Sequence, residues 1–140
     1  MDQQTIELVQ HSWKKVAAIA PQAAALFYQN LFAADPDLRP LFKNDLGEQG
    51  NKLMQTLSIA VAKLNDLDSL APVLQDLARR HVGYGVQEEH YATVGSALLQ
   101  TLEQGLGDDF TPPVKAAWSA VYGVVADVMI TAAKSAEPVR

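Results

Sequence analysis

Cysteine is absent from the 140 residues. Without a thiol there is no disulfide framework, no thiolate metal site, no cysteine nucleophile and no covalent thioether attachment of a cofactor. Positive charge is scarce as well, with 11 Lys and Arg against 16 Asp and Glu, a net charge of −5. Phosphate backbones are held by Lys and Arg that release condensed counterions, so nucleic acid is not an expected partner and a small molecule is. No apolar run is read as approaching the roughly 20 residues that span a bilayer, and the acidic, amide-rich start lacks the look of a targeting signal. The expectation is a soluble, cytoplasmic protein without a membrane span. There is no low-complexity linker and no internal repeat, and residues 1–140 suit one domain, frayed from about 135. Apolar residues make up 49% of the chain, which excludes a disordered polymer.

What is present is helical periodicity. Ile6, Val9, Trp13, Val16 and Ala20 recur at steps of three and four, the repeat of one helix face. Pro21 suits the first turn of a second helix carrying Leu26, Phe27, Tyr28, Leu31 and Phe32, which should end near Asp35. Asp35 before Pro36 predicts a cap and a short third helix leading to Phe42. Residues 43–50 turn polar and are expected to form a loop, containing Asn44, Asp45, Gly47 and Gly50. Gln49, Leu53, Leu57, Ala60 and Leu64 then share a stripe, so the Gln49 amide projects from an apolar face, with the helix start uncertain by a turn. The next helix carries Leu70, Val73 or Leu74, Leu77 and His81. Gly83 and Gly85 close it, and a further helix has Tyr91, Val94, Leu98 and Leu102 facing inward. A turn over 105–109 separates it from a last long helix, capped by Thr111, with Val114, Trp118, Tyr122, Val125 and Met129 on one face. Strand-like alternation is missing throughout. The fold class is all-α, with about seven or eight helices.

Catalysis by side chains alone finds little support. Gly83 and Gly85 follow a helix rather than joining a strand to one, so they make no phosphate loop. Asp66 and Asp68 are too sparse for a calcium loop, and Glu88, Glu89 and His90 suit the positive start of a helix. The histidines are His11, His81 and His90, and His81 alone lies on a core-facing stripe. Such a residue is most simply a hydrogen-bonded structural one. A haem offers the other reading, because one axial imidazole holds its iron, whereas zinc needs three or four protein ligands that this chain does not supply.

Several fragments then fall into a familiar order: Tyr28 in Phe-Tyr-Gln-Asn-Leu-Phe, Asp35-Pro36, the Arg-Pro-Leu-Phe run ending at Phe42, and Gln49 ahead of Lys52-Leu53. They continue with Arg79-Arg80-His81, Tyr84-Gly85-Val86, His90-Tyr91, and Trp118 with Tyr122-Gly123. In that order and spacing, over residues 2–133, the chain resembles the globins, and among them the single-domain bacterial globins and flavohaemoglobin haem domains. The resemblance implies a three-over-three helical sandwich around haem b, with His81 as the iron ligand and its second ring nitrogen bonded to a main-chain carbonyl. Phe42 would pack flat on the porphyrin, with Leu53, Val86, Tyr91 and Val94 also around it and Leu57 and Leu98 completing the distal wall. Lys52 and Arg79 or Arg80 would be candidates for the propionates. Tyr28 and Gln49 would donate hydrogen bonds on the other side, where a water-poor pocket strengthens their hold on the partial negative charge that dioxygen acquires.

The implied function is reversible dioxygen binding, storage or transport at a pentacoordinate iron, with CO and NO as further gaseous ligands. The alternative is a nitric oxide dioxygenase. Flavin and nicotinamide domains are expected to be missing, so turnover would borrow a separate reductase. One departure stands out: flavohaemoglobins carry a carboxylate late in the last helix that forms a network with the counterpart of Tyr91, and the matching position here is Ala133. Glu137, four residues on, is not expected to replace it.

Overall fold

The computed structural model describes residues 2–42, 46–83 and 86–136, and among these every regular element is helical. Helix α1 spans Gln3–Ala17, α2 Ala20–Ala34, α3 Leu46–Ala62, α4 Leu67–Gly83, α5 Glu88–Leu106 and α6 Pro112–Ala136. Two short 3₁₀ turns, Pro36–Leu41 and Gly107–Asp109, bring the helical elements among the described residues to eight. The layering is three over three: α1, α3 and α4 lie across α2, α5 and α6, with α1 and α4 packed on α6 and α3 packed on α2.

Local chemistry sets most boundaries. The Asp2 carboxylate accepts from the Thr5 amide at 2.8 Å to start α1, and Pro21 occupies the first turn of α2, where its missing N–H costs nothing. The Asp35 side chain accepts from the Asp37 amide at 3.1 Å and opens the 3₁₀ turn. Gly107, at φ +55°, ends α5 in a backbone conformation that a Cβ would oppose. At the start of α5 the His90 ring accepts from the Gln87 amide at 2.9 Å and the His90 amide donates to the Gln87 carbonyl at 3.0 Å, so His90 closes the helix start.

The core faces are largely those the periodicity indicates: Ile6, Val9, Trp13 and Val16 from α1, Leu70 and Leu74 from α4, and Leu98 and Leu102 from α5 are buried. Val73 is exposed, so Leu74 is the inward residue of that pair. Ala20 starts α2 instead of extending the face of α1. The expected loop is shorter than read, because α3 already begins at Leu46 and takes in Gly47, Gln49 and Gly50; Asn44 and Asp45 lie outside the described residues. Gly50 is buried against α2, where an added Cβ would stand 3.0 Å from Ala24 Cβ and 3.7 Å from the Tyr28 ring. A residue that weakens the helix locally is what lets two helices touch. The expectation about apolar length also needs amending. Pro112–Lys134 is long and apolar enough to cross a membrane by length and composition, yet it packs on α1, α4 and α5 with Val114, Ala117, Trp118, Val121 and Met129 buried.

Polar ties lock the layers. The Trp118 indole donates to Ser12 Oγ at 2.8 Å, Ser12 donates to the Leu8 carbonyl at 2.7 Å, and the Trp13 indole donates to Ser58 Oγ at 3.0 Å. The two indoles lie 5.9 Å apart, so α1, α3 and α6 meet at one hydrogen-bonded aromatic joint. Buried Asn30 on α2 donates to Thr101 Oγ1 at 3.0 Å and Gln104 Oε1 at 2.9 Å on α5. Between α5 and α6, a Cβ added to Gly95 would come within 2.6 Å of the Tyr122 ring. Gly95→Ala is therefore expected to destabilise the fold by about 1–3 kcal/mol, the range for overpacking a close core. Urea unfolding checks this, and an unchanged midpoint would mean that Tyr122 moves aside freely.

Candidate cofactor site

His81 lies on the last turns of α4, half-buried, with Nδ1 2.7 Å from the Leu77 carbonyl. A carbonyl only accepts, so Nδ1 carries the proton and Nε2 carries the ring's lone pair, which is the tautomer a metal ligand needs. This is the main-chain acceptor that the sequence suggests, one turn back along the same helix. Burial lowers the proton affinity of the ring below its ordinary value of 6.5, and the bond to Leu77 partly opposes the shift. A neutral imidazole is thus favoured.

A depressed folded-state value makes the unfolded chain the first to take up a proton, so its contribution to stability is intact above about 6.5 and fades as pH falls through that point. The haem-free protein is expected to unfold more easily toward acid, with a shallower pH slope in His81→Gln. Thermal melts of both between about pH 8 and about pH 5 check this, and parallel slopes would rule it out.

The second group of residues gathers around Tyr28 on α2. Its ring is buried, stacked on Phe32 at 6.0 Å and edge-on to Phe27 and Phe42, each at 5.5 Å. Burial pushes the Tyr28 hydroxyl up to about 12, so at neutral pH it stays protonated and able to donate. Phe42 follows the 3₁₀ turn in extended backbone and is half-buried. Gln49, also half-buried, precedes Gly50, the residue pressed toward the Tyr28 ring. Leu53 and Leu57 continue that face of α3 and are half-buried.

A third group joins α5 to the corner beyond α4. The Val86 amide donates to the His81 carbonyl at 3.1 Å, and Val86 and Val94 are half-buried. Tyr84 and Gly85, between them and His81, lie outside the described residues. Tyr91 is buried, with its carbonyl accepting from the Tyr122 hydroxyl at 2.6 Å. Its own hydroxyl is buried and finds no hydrogen-bond partner among the described residues. Burial pushes the pKa of both phenols above the ordinary value, and Tyr91 pushes that of Tyr122 further, so both stay protonated at neutral pH. Ala133 offers no acceptor, and Glu137 lies outside the described residues.

The structure thus joins Tyr28, Phe42 and the start of α3 in one cluster, and His81, Leu77 and Val86 in another. Lys52, Arg79 and Arg80 are exposed, and Arg80 pairs with Asp76 at 2.6 Å. A cavity of about 390 Å³ bounded by Ala17, Ala20, Met54, Gln55, Ser58 and Ile59 contains none of these residues, and neither does one of about 70 Å³ between α4 and α6. Sequence reasoning missed the approach of Gly50 to α2, the Tyr122–Tyr91 bond and a bond from the Arg39 guanidinium to the Phe42 carbonyl at 2.9 Å; only the glycine left a local signal.

The donor set fits an iron porphyrin. It comprises one neutral imidazole, half-buried apolar groups at Phe42, Leu53, Leu57, Val86 and Val94, and the buried Tyr91 hydroxyl, which has no partner among the described residues. Comparison with known proteins decides the family, because the globin family model matches residues 25–129. The chain belongs to the globin family. It is 29% identical over 133 residues to a flavohemoprotein from Vibrio cholerae, an alignment covering 93% of this chain and 34% of that protein. It is 39% identical over 108 residues to a flavohemoprotein from Bordetella parapertussis, covering 74% of this chain and 27% of the relative. This globin therefore spans about a third or less of the length of those relatives. Among solved structures, a bacterial globin from Campylobacter jejuni superposes with a TM-score of 0.84 at 25% identity, covering 96% of this chain and 97% of that one. Membership of the family implies haem b as the cofactor.

Proposed function

We propose that this globin holds haem b through His81 Nε2 and binds dioxygen reversibly at a five-coordinate iron, with CO and NO as competing ligands. The observation that carries the reading is the His81 Nδ1 bond to the Leu77 carbonyl, which fixes the ring in its metal-ligating tautomer. When bound, the haem supplies a ferrous centre to which a small gas can coordinate and from which it can leave. The rest is the work of this chain. Phe42, Leu53, Leu57, Val86 and Val94 exclude water from the ring faces, and Leu53 controls access to the distal side. Tyr28 and Gln49 donate hydrogen bonds there, and Tyr91 turns its hydroxyl toward the cofactor. Lys52 and Arg79 stand as propionate partners, and Arg80 serves there only by leaving Asp76. An amide binds iron poorly, so Gln49 would act as a hydrogen-bond donor to a bound gas and not as an iron ligand.

A second reading, nitric oxide dioxygenation to nitrate with electrons from a separate reductase, is favoured by the likeness to flavohemoproteins. Ala133 speaks against it, since no carboxylate there pairs with Tyr91 to strengthen His81 as a donor. We place the protein in the cytoplasm. Spectra of the purified ferrous protein test the main reading: a five-coordinate high-spin form that takes up and releases oxygen without rapid oxidation supports it. A six-coordinate low-spin form without added ligand would overturn it. Catalytic NO consumption with NAD(P)H and cell extract would move the assignment to the enzyme.

A further inference from the structure

Phe42 is gripped from outside the pocket by one exposed side chain. The Phe42 amide donates to the Arg39 carbonyl at 3.1 Å, and the Arg39 guanidinium donates through Nη1 to the Phe42 carbonyl at 2.9 Å. Both backbone polar groups of Phe42 are therefore satisfied by the same residue. The carbonyl lies past the end of the 3₁₀ turn, where Phe42 itself is extended and no backbone donor meets it among the described residues, so a side-chain donor closes it. The same guanidinium sits 5.7 Å from the centre of the Phe32 ring, close enough for a cation–π contact. Phe32 in turn meets Phe42 edge-on at 5.4 Å and stacks on Tyr28.

We infer that Arg39 is a positioning residue for the cofactor site, clamping the Phe42 backbone and bracing Phe32 so that Phe42 and Tyr28 present fixed faces to the haem. This rests on the haem reading above. A planar guanidinium serves both roles at once, with N–H groups in the plane for the carbonyl and a π-face for the phenyl ring, whereas a lysine ammonium supplies one or the other. Its exposure is no objection, because it acts through the backbone of a half-buried residue and through a ring, not through an ion pair.

The test compares wild type with Arg39→Met, Arg39→Lys, Phe42→Leu and the Arg39→Met/Phe42→Leu double variant. Release of ferric haem to an excess of apomyoglobin gives one measurement, and thermal melting of the haem-free forms gives a second that a purely structural role would dominate. Arg39→Met is expected to release haem about tenfold faster, the weight of one charge-assisted hydrogen bond, with Arg39→Lys recovering part of the loss. In the Phe42→Leu background the same change should matter less than about twofold, because the backbone carbonyl remains but the ring that the clamp holds against the haem is gone. Haem-free melting points should stay close to wild type. An unchanged release rate in Arg39→Met, or an undiminished effect beside Phe42→Leu, would overturn the clamp while leaving the haem reading intact. Failure of the wild type to take up haem would sink both.

Discussion

Purified His81→Ala is expected to lose the Soret band at haem concentrations that saturate the wild type. Dropping a hydrogen-bonding partner behind a metal ligand costs roughly 10–100-fold in affinity, so deleting the ligand should cost at least about a hundredfold. A small side chain on a half-buried helix face leaves room for a free imidazole. Added imidazole should therefore restore the band, which separates a lost ligand from a lost fold. The effect is large because the three histidines of this chain are dispersed: His90 is engaged at the start of α5 with the Gln87 amide, and His11 is exposed on α1. A band of wild-type intensity in His81→Ala, without imidazole, would remove the central assignment.

Oxygen release should accelerate about ten- to a hundredfold in Tyr28→Phe, the range for losing one hydrogen bond to a charged acceptor. Phenylalanine keeps the ring that packs on Phe27, Phe32 and Phe42, so the walls persist and only the donor goes. Gln49→Leu should have the smaller effect, up to about tenfold, because the half-buried amide is better screened by water. Both donors address one ligand, so the double variant should fall short of the product of the two. Stopped-flow displacement of oxygen by CO measures all three rates, and equal rates in wild type and Tyr28→Phe would take the tyrosine out of the pocket.

How far the amino acids announce this molecule depends on the range of the physics involved. Helix faces are local, and Ile6, Val9, Trp13, Val16, Leu98 and Leu102 advertise themselves at steps of three and four before any partner is known. Capping is local too, as Asp35 and Pro21 show. The position of His81 on its stripe is legible for the same reason, and so is its acceptor, since a ring reaching back one turn finds a carbonyl already in place. The start of α3 was harder. Gly47 and Gly50 speak for a loop on propensity alone, and the fact that reverses this is the closeness of Ala24 and Tyr28, twenty-odd residues away. Tertiary contact also decides between Val73 and Leu74, neighbours on adjoining faces of one helix. The grip of Arg39 on Phe42 was invisible for a different reason. A surface arginine three residues before an aromatic has many possible partners, and only the extended backbone of Phe42 at the end of the 3₁₀ turn selects one.

Both tryptophans of the chain, Trp13 and Trp118, share the joint of α1, α3 and α6, buried and each with its indole N–H bonded. Their emission therefore comes from one rigid, apolar environment and has no surface component to dilute it. Opening that joint exposes both indoles together and shifts the band to longer wavelength in a single step. A nearby porphyrin absorbs where indole emits and drains the excited state by energy transfer, so the same light dims as cofactor enters. The protein carries a built-in optical gauge: intensity counts occupied molecules, and colour counts folded ones.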